Sequence, residues 1–275
     1  MSGFPLSEFF VLFGLGLFGA LAVLPYSFSL NRDKLSQAKL PLPVLALISF
    51  LQTALLIAVA VSVGLLAGKP IGLGAPLIKT ALAGGPAWSS FLGSLPLAVG
   101  LGVLSVALLA LFEHFVFARH VPEALRTSDV KTSPWKRLLA SFYGGLDEEI
   151  LMRLFLVSGL AWTLGRFWQN VDGLPANGAY WTAIVVASVL FGLGHLPTTK
   201  ALTPLTSMIV VRAVVLNGIL GIATGWLYWK YGLESAMVSH FSADLLLHLV
   251  APLFAGLIYN NSAIATAPND TSSPK

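Results

Sequence analysis

The amino-acid sequence predicts an all-α polytopic membrane protein, a bundle of about seven or eight transmembrane helices. The chain of 275 residues is 56% hydrophobic and only 10% charged, whereas soluble domains carry about 25% charged residues. Its mean hydropathy is +0.82. Apolar runs long enough to cross a bilayer follow one another along the chain and leave no room for a soluble domain of ordinary size.

The apolar runs define the predicted elements in chain order. Seven spans are predicted, at 7–29, 44–67, 95–118, 138–165, 180–196, 208–229 and 233–257. Residues 76–82 are too few to cross a bilayer. They are expected either to lie at the membrane interface, which would raise the count to eight, or to form an exposed loop. We predict a single transmembrane domain over residues 1–259 and a disordered polar tail over 260–275.

Charge and cysteine content exclude several classes of protein. The net charge is +4, but the basic residues gather in the loops after the first and third spans, as the positive-inside rule expects of cytoplasmic loops. We therefore expect a multi-pass protein with its N-terminus outside and with no nucleic-acid partner. The chain has no cysteine, which excludes disulfides, thiolate metal sites and a cysteine nucleophile.

Four ionisable side chains, Asp147, Glu148, Glu149 and Arg153, stand together inside the fourth apolar run. Each charge at a helix centre costs roughly 2.5–3.5 kcal/mol of insertion free energy, so this cluster requires partners. On a helix, Glu149 and Arg153 share one face and can pair, while Glu148 is turned away by about 100°. Two neighbouring carboxylates in a low-dielectric site resist simultaneous ionisation, which nominates Glu148, the one without the arginine, as a proton carrier.

Further polar side chains interrupt the later apolar runs. They are His195 at the end of the fifth span, Asn217 in the sixth, and His240, Asp244 and His248 on one face of the seventh. The glycines and proline around His195 predict a helix end close to another backbone. Gly221 and Gly225 extend the face of Asn217 into a smooth ridge that a neighbouring helix can approach. Buried apart, the polar groups would lack hydrogen-bond partners, so we expect them to converge.

These residue types indicate hydrolytic chemistry. A carboxylate beside two imidazoles can activate a water molecule and protonate a leaving amine. Glu148, His195 and His240 are also ligand types that zinc binds, so a zinc-dependent site is an open alternative. The sequence contains neither the His-Glu-x-x-His motif of zinc proteases nor a membrane-embedded Gly-x-Ser-x-Gly motif.

The motifs occur in a recognisable order. Glu-Glu-x-x-x-Arg at 148–153 is followed by Phe-x-x-x-His at 191–195, by Asn217 with its two glycines, and by His-x-x-x-Asp at 240–244. This ordered set resembles the CPBP intramembrane proteases, the CAAX-processing and bacteriocin-processing group that includes the Abi-type proteins. The resemblance implies a helical bundle with an intramembrane active-site cavity, a catalytic core at 138–250, and peptide-bond hydrolysis.

The resemblance also implies a role for each matched residue. Glu148 would be the general base and His195 would help to hold the water, while Glu149 and Arg153 would form a structural pair. His240 and the residue at 244 would face the oxyanion or complete a metal site, and Phe191 and Asn217 would contact the substrate.

Position 244 departs from the family pattern, which often has asparagine there. An ionised Asp244 cannot donate a hydrogen bond to an oxyanion. Asp244 must therefore be protonated, orient His240 or bind a cation. We interpret His248, which lies outside the motif, as supporting or packing against this group.

The resemblance implies a peptide or protein substrate, either prenylated or otherwise membrane-associated, and a location in a cell membrane, which we expect to be the bacterial inner membrane. Two other classes stay open. A proton-coupled transporter would also bury Glu, His and Asp, although the sequence shows no evident inverted repeat. A non-catalytic immunity or scaffold protein of the same fold would use these residues structurally.

Overall fold

A computed structural model describes residues 3–122, 125 and 132–250 of the chain. Within those ranges the secondary structure is helical and contains no named strand, with one isolated bridge between Gln169 and Pro175. The predicted all-α polytopic membrane class is therefore confirmed. The end of the seventh predicted span and the polar tail at 260–275 lie outside the described residues.

The described helices follow the predicted order. They are α1 (Leu6–Ala22), α2 (Leu24–Leu30), α3 (Arg32–Ser36), α4 (Leu42–Gly68), α5 (Pro76–Leu82), α6 (Ala87–Phe112), α7 (Pro134–Tyr143), α8 (Ser158–Leu164), α9 (Asn177–Gly194), α10 (Leu196–Leu202), α11 (Ser207–Tyr231) and α12 (Leu233–Asp244). Wider π-helical turns extend α6 over Glu113–Phe117, join α7 to α8 through Gly144–Glu148 and Ile150–Val157, and extend α12 over Leu245–Val250.

Within the described part of the chain, five helical stretches are long and apolar enough to cross a membrane. They are Leu6–Leu30, Leu42–Ile71, Ala87–His120, Asn177–Leu202 and Ser207–Tyr231. The other two predicted spans correspond to the helical stretches 134–164 and 233–250, which carry the ionisable side chains of the Glu-Glu-x-x-x-Arg and His-x-x-x-Asp motifs. The Glu-Glu-x-x-x-Arg and His-x-x-x-Asp motifs thus lie outside the five apolar stretches, whereas Phe191 and His195 lie in one of them.

One predicted boundary needs correction, and one alternative that the sequence left open is decided. The third span begins at Ala87, not near residue 95, because Pro96 lies inside helix α6 instead of marking its start. Residues 76–82 form the short helix α5, which packs against α1, α6 and α12, so they are not an exposed loop. Glu234 at the start of α12 holds α5 in place, because its Oε1 accepts a hydrogen bond from the backbone N–H of Ile78 at 2.9 Å.

The bundle has polar groups inside and apolar side chains outside, as expected of a protein dissolved in lipid. Phe10, Leu55 and Leu66 are 65%, 68% and 57% exposed, whereas Glu149 and Arg153 are 0% and 2% exposed. The outward apolar side chains belong to helices that the membrane would cover.

Small residues let the helices approach closely. A Cβ atom added to Gly192 of α9 would lie 2.5 Å from Val214 Cα of α11. Added to Gly221 and Gly225 of α11, it would meet Ser188 and Ile184 of α9 at 2.8 and 2.7 Å. The predicted glycine ridge on the sixth span and the predicted close backbone approach before His195 are both confirmed.

Helices α4 and α6 pack closely against the two stretches that carry the ionisable residues, 134–164 and 233–250. A Cβ atom on Gly64 of α4 would lie 2.5 Å from the carbonyl oxygen of Leu154, and one on Gly102 of α6 would lie 2.5 Å from that of Ser239. Ser239 precedes His240, so the packing of α6 sets the position of that imidazole.

We predict that Gly102→Ala destabilises the protein by about 1–3 kcal/mol, because the new methyl group overpacks the contact with Ser239. Gly100→Ala is the matched control on the same helix, since nothing lies within 4 Å of a Cβ at Gly100. Thermal unfolding of the purified proteins in detergent measures both effects. Equal unfolding midpoints for the two variants would contradict the close packing of α6 on α12.

Candidate active site

The helix that carries the Glu-Glu-x-x-x-Arg motif is wound as a π-helix over most of its middle, at Gly144–Glu148 and Ile150–Val157. Such turns are rare and frequently occur at functional sites. Gly144 and Gly145 bring this backbone against α12. A Cβ on Gly145 would lie 2.9 Å from Phe241 Cβ, and one on Gly144 would overlap the carboxylate of Asp244.

Glu149 and Arg153 form the predicted ion pair. Glu149 Oε1 lies 3.1 Å from Arg153 Nη1. The guanidinium also reaches α11, where Nη2 donates to the carbonyl of Gly221 at 3.2 Å and to the hydroxyl of Thr224. The guanidinium carbon, Cζ, lies 5.1 Å from the centre of the Phe191 ring. The pair therefore ties three helical stretches together.

His240 lies among three carboxylates. Its Nδ1 is 2.6 Å from Glu149 Oε1, which makes Nδ1–H the donor to an ionised Glu149. Its Nε2 is 3.6 Å from Glu148 Oε2 and 3.7 Å from Asp244 Oδ1. The imidazole is thus oriented by the buried Glu149–Arg153 pair, and its other nitrogen faces Glu148.

His195 lies on the other side of Glu148, just after the end of α9. Its Nδ1 donates to the backbone carbonyl of Phe191 at 2.9 Å, since a carbonyl oxygen only accepts. This hydrogen bond fixes the tautomer, so that Nε2 faces Glu148 Oε1 at 3.9 Å. The Phe191 ring meets the imidazoles of His195 and His240 edge to face, with centroids 4.7 and 5.7 Å apart.

Glu148 differs from its neighbour in exposure and in contacts. Its side chain is 21% exposed, and each of its two oxygens faces a different imidazole. The separations of 3.6 and 3.9 Å exceed a direct hydrogen bond and fall in the range that one water molecule bridges. Glu148 is therefore an accessible carboxylate between two nitrogen atoms, whereas Glu149 is enclosed.

Asp244 extends this group toward the end of the helix. Its Oδ1 lies 3.7 Å from His240 Nε2 and 3.9 Å from His248 Nε2. The carboxylate occupies the space that the missing side chain of Gly144 leaves open. Both separations exceed a direct hydrogen bond, so Asp244 acts on the two imidazoles through its charge.

The comparisons with known proteins found one match. Residues 130–246 match the family model described as Rce1-like, type II CAAX prenyl endopeptidase. The match covers less than half of the chain, and this region is similar to that family. The resemblance to the CPBP and CAAX protease group is thereby confirmed. No curated protein and no solved structure matches the chain.

The matched region, residues 130–246, contains the predicted catalytic and substrate-binding residues, whereas His248 lies just beyond it. The fold brings most of these residues together. Asn217 is the exception, because its Nδ2 donates to the carbonyl of Ala213 on its own helix at 2.8 Å. A role for Asn217 in substrate binding stays a prediction. Phe191 does join the cluster, through its ring and through its carbonyl.

The predicted zinc ligands Glu148, His195 and His240 do not form a ligand group in the described residues, which contain no set of three or more His, Cys, Asp or Glu placed to hold a metal ion.

The sequence did not predict two hydrogen-bond partners of Arg153 or the surroundings of one carboxylate. Thr224 and the carbonyl of Gly221 bind Arg153, and Thr224 follows Gly221 on the ridge that the glycine spacing had marked. Asp147 was noticed in the sequence, but its surroundings were not foreseen. It is 0% exposed, its two oxygens have no hydrogen-bond partner among the described residues, and it packs against Gly19 of α1.

We predict that Glu149→Gln lowers the free energy of unfolding by about 3–5 kcal/mol, because it leaves the buried Arg153 without its counter-charge. The matched control is Glu148→Gln, the same isosteric change one residue earlier at a partly exposed carboxylate, which should change stability by less than about 1 kcal/mol. Chemical denaturation in mixed micelles measures both. The assignment of the structural carboxylate would be wrong if Glu148→Gln were the more destabilising change.

Proposed function

We propose that this chain is an intramembrane endopeptidase that hydrolyses a peptide bond with a water molecule activated by Glu148 and His195. The observation that carries the proposal is the unequal environment of two adjacent carboxylates. Glu149 is enclosed and bonded to Arg153 and His240. Glu148 is 21% exposed and lies between two oriented imidazoles. Of the two, Glu148 is the carboxylate that water and substrate can reach.

In the proposed reaction, Glu148 is the general base. Its carboxylate takes one proton from the water while the water oxygen bonds to the scissile carbonyl carbon and the carbonyl electron pair moves to its oxygen. The tetrahedral oxyanion then collapses. The C–N bond breaks, Glu148 gives its proton to the leaving nitrogen, and the products are a carboxylic acid and an amine. His195 Nε2, fixed by the hydrogen bond from Nδ1 to Phe191, accepts a hydrogen bond from the same water.

His240 is the proposed donor to the oxyanion. Its Nδ1 is held by Glu149, so Nε2 is the ring atom that faces Glu148 and the reacting group. In the imidazolium form Nε2–H donates to the developing negative charge. The neighbouring carboxylates stabilise that form by their charge. Asp244 is proposed to favour this orientation by electrostatic attraction, since its Oδ1 lies 3.7 Å from Nε2, beyond a direct hydrogen bond.

For the substrate, we propose a peptide or protein with a lipid-modified C-terminus. The description of the matched family, which names a type II CAAX prenyl endopeptidase, supports this class. So does a cavity of about 270 Å³ between the end of α2 and helix α10, lined by residues such as Leu30, Pro197 and Leu202. Helix α10 begins at Leu196, directly after His195, so a chain bound there would lie beside the cluster. The bacterial inner membrane stays the predicted location.

The proposal predicts that detergent-purified protein cleaves prenylated, membrane-anchored C-terminal peptides. Glu148→Gln and His195→Ala should each reduce kcat by about 10²–10⁴, the usual contribution of a general base. Mass spectrometry of the products, for prenylated and unprenylated versions of the same peptide, identifies the cleaved bond and the need for the lipid.

Three controls distinguish the rival classes. Arg212→Gln changes a charged residue that pairs with Glu113 away from the cluster, and it should keep activity. A chelator separates metal-dependent from metal-independent hydrolysis. Uptake of substrate into vesicles without cleavage would favour a transporter. Cleavage by Glu148→Gln at the wild-type rate, with folding intact, would refute the assigned base and favour a structural role for this residue.

Asp244 gives a further prediction. Asp244→Asn keeps an oxygen near His240 and should retain more activity than Asp244→Ala, which removes the contact and leaves space beside Gly144. We expect about a tenfold difference in kcat between the two variants, which corresponds to about 1.4 kcal/mol of activation free energy. Parallel kinetics on one peptide give the comparison. Equal rates for the two variants would remove Asp244 from the proposed mechanism.

A further inference from the structure

A cavity of about 560 Å³ lies at the opposite end of the bundle from the carboxylate–imidazole cluster. It is bounded by the first turn of α1, the segment between α4 and α5, α5 itself, the start of α6 and the junction of α11 with α12. Its volume falls within the range of about 300–1,000 Å³ that is typical of small-molecule sites. None of the proposed catalytic side chains lines it.

The length of helix α9 gives the separation between the cavity and the carboxylate–imidazole cluster. Tyr180, near its start, stacks on Trp229 in the wall of the cavity, with ring centroids 4.8 Å apart. His195 caps the other end of this helix of 18 residues. At 1.5 Å per residue the two ends are roughly 27 Å apart. The cavity is therefore a separate site and not an extension of the active-site opening.

Glu234 supplies a buried carboxyl group to this cavity. The residue is 7% exposed, and its Oε1 accepts a hydrogen bond from the N–H of Ile78. The backbone N–H groups of Leu77 and Glu234 also lie near this carboxylate. Its other oxygen, Oε2, is buried and makes no hydrogen bond of normal geometry among the described residues. A second carboxylate, that of Glu8, lines the same cavity and acts on Glu234 electrostatically. Two acidic groups with an unsatisfied buried oxygen favour the binding of a cationic hydrogen-bond donor.

Positive charge lines the same cavity. Lys69, Lys79 and Lys230 all contribute to its lining. The ammonium group of Lys230 lies 3.5 Å from the centre of the Trp229 ring, and Lys79 is exposed to solvent. A ligand that contacts both the carboxylates and the lysines of this cavity would carry an anionic group as well as a cationic one.

We propose that this cavity binds a zwitterion that carries a primary ammonium group and a phosphate, with the ammonium on Glu234 and Glu8 and the phosphate on the lysines. This is the headgroup chemistry of phosphatidylethanolamine, and a free phosphoethanolamine ester offers the same groups. The cavity opens among helix ends, beside the exposed aromatic side chains of Trp88 and Tyr231, which are typical of a membrane interface.

Ligand-induced thermal stabilisation of the purified full-length chain in detergent tests the proposal. Short-chain phosphatidylethanolamine should raise the unfolding midpoint at concentrations at which phosphatidylcholine of the same chain length does not, because a quaternary ammonium has no hydrogen to donate to Glu234. Glycerophosphoethanolamine distinguishes the two sources of the ligand. An equal shift with it assigns binding to the free ester chemistry, and a shift with the lipid alone assigns it to the membrane headgroup.

Variants then locate the binding. Glu234→Gln keeps an oxygen for the N–H of Ile78 but removes the charge, and it should weaken the apparent affinity for phosphatidylethanolamine about tenfold or more. If that variant does not fold, Glu8→Gln tests the second carboxylate in the same way. Glu113→Gln is the matched control, because its carboxylate pairs with Arg212 outside this cavity.

Equal shifts with the two lipids on the wild-type chain would overturn the proposal. So would an unchanged preference for phosphatidylethanolamine in both Glu234→Gln and Glu8→Gln. These measurements do not depend on peptidase activity, so they stand apart from the proposed catalytic function.

Discussion

The arrangement of this bundle depends on one enclosed ion pair, between Glu149 and Arg153. A charge without a partner in a low-dielectric interior costs several kcal/mol, so every group around the pair must satisfy it. Thr224 and a backbone carbonyl of α11 bind Nη2 of the guanidinium, and His240 of α12 binds Oε1 of the carboxylate. Glu149 Oε2 and Arg153 Nη1 have no hydrogen-bond partner among the described residues. Glu148 is the next residue along the backbone, so its position between the imidazoles follows from the position of the pair.

The close approach of helices is the second requirement, because a guanidinium can reach a backbone carbonyl only where the side chains are small. Glycines meet this requirement at the contacts of α9 with α11 and of α6 with α12. In the site itself, Gly144 and Gly145 let the π-helical stretch touch α12 directly. The exterior is apolar and the interior holds the charges, so close packing and electrostatics, not burial of apolar surface from water, distinguish the inside from the outside.

Spacing in the sequence predicted the parts of the site that depend on helical periodicity. The pairing of Glu149 with Arg153 followed from a separation of four residues, and the convergence of the histidines followed from the cost of leaving them unpaired. Hydrogen-bond register is not visible in a hydrophobic pattern, so the π-helical winding was not predicted. The orientation of Asn217 was not predictable either, since an amide can bond to its own helix as readily as to a neighbour. The start of α6 was misplaced because a proline inside a helix looks like a boundary in sequence.

Phe191 shows how an apolar residue can link the polar ones. Its ring contacts both imidazoles and the guanidinium, and its backbone carbonyl holds one imidazole in a single tautomer. Residues that share a neighbour in this way do not contribute independently to stability or rate. The effects of mutations at Phe191 and at the side chains that it contacts should therefore be non-additive. The replacements tolerated at each of those side chains will depend on which aromatic or aliphatic residue stands at position 191.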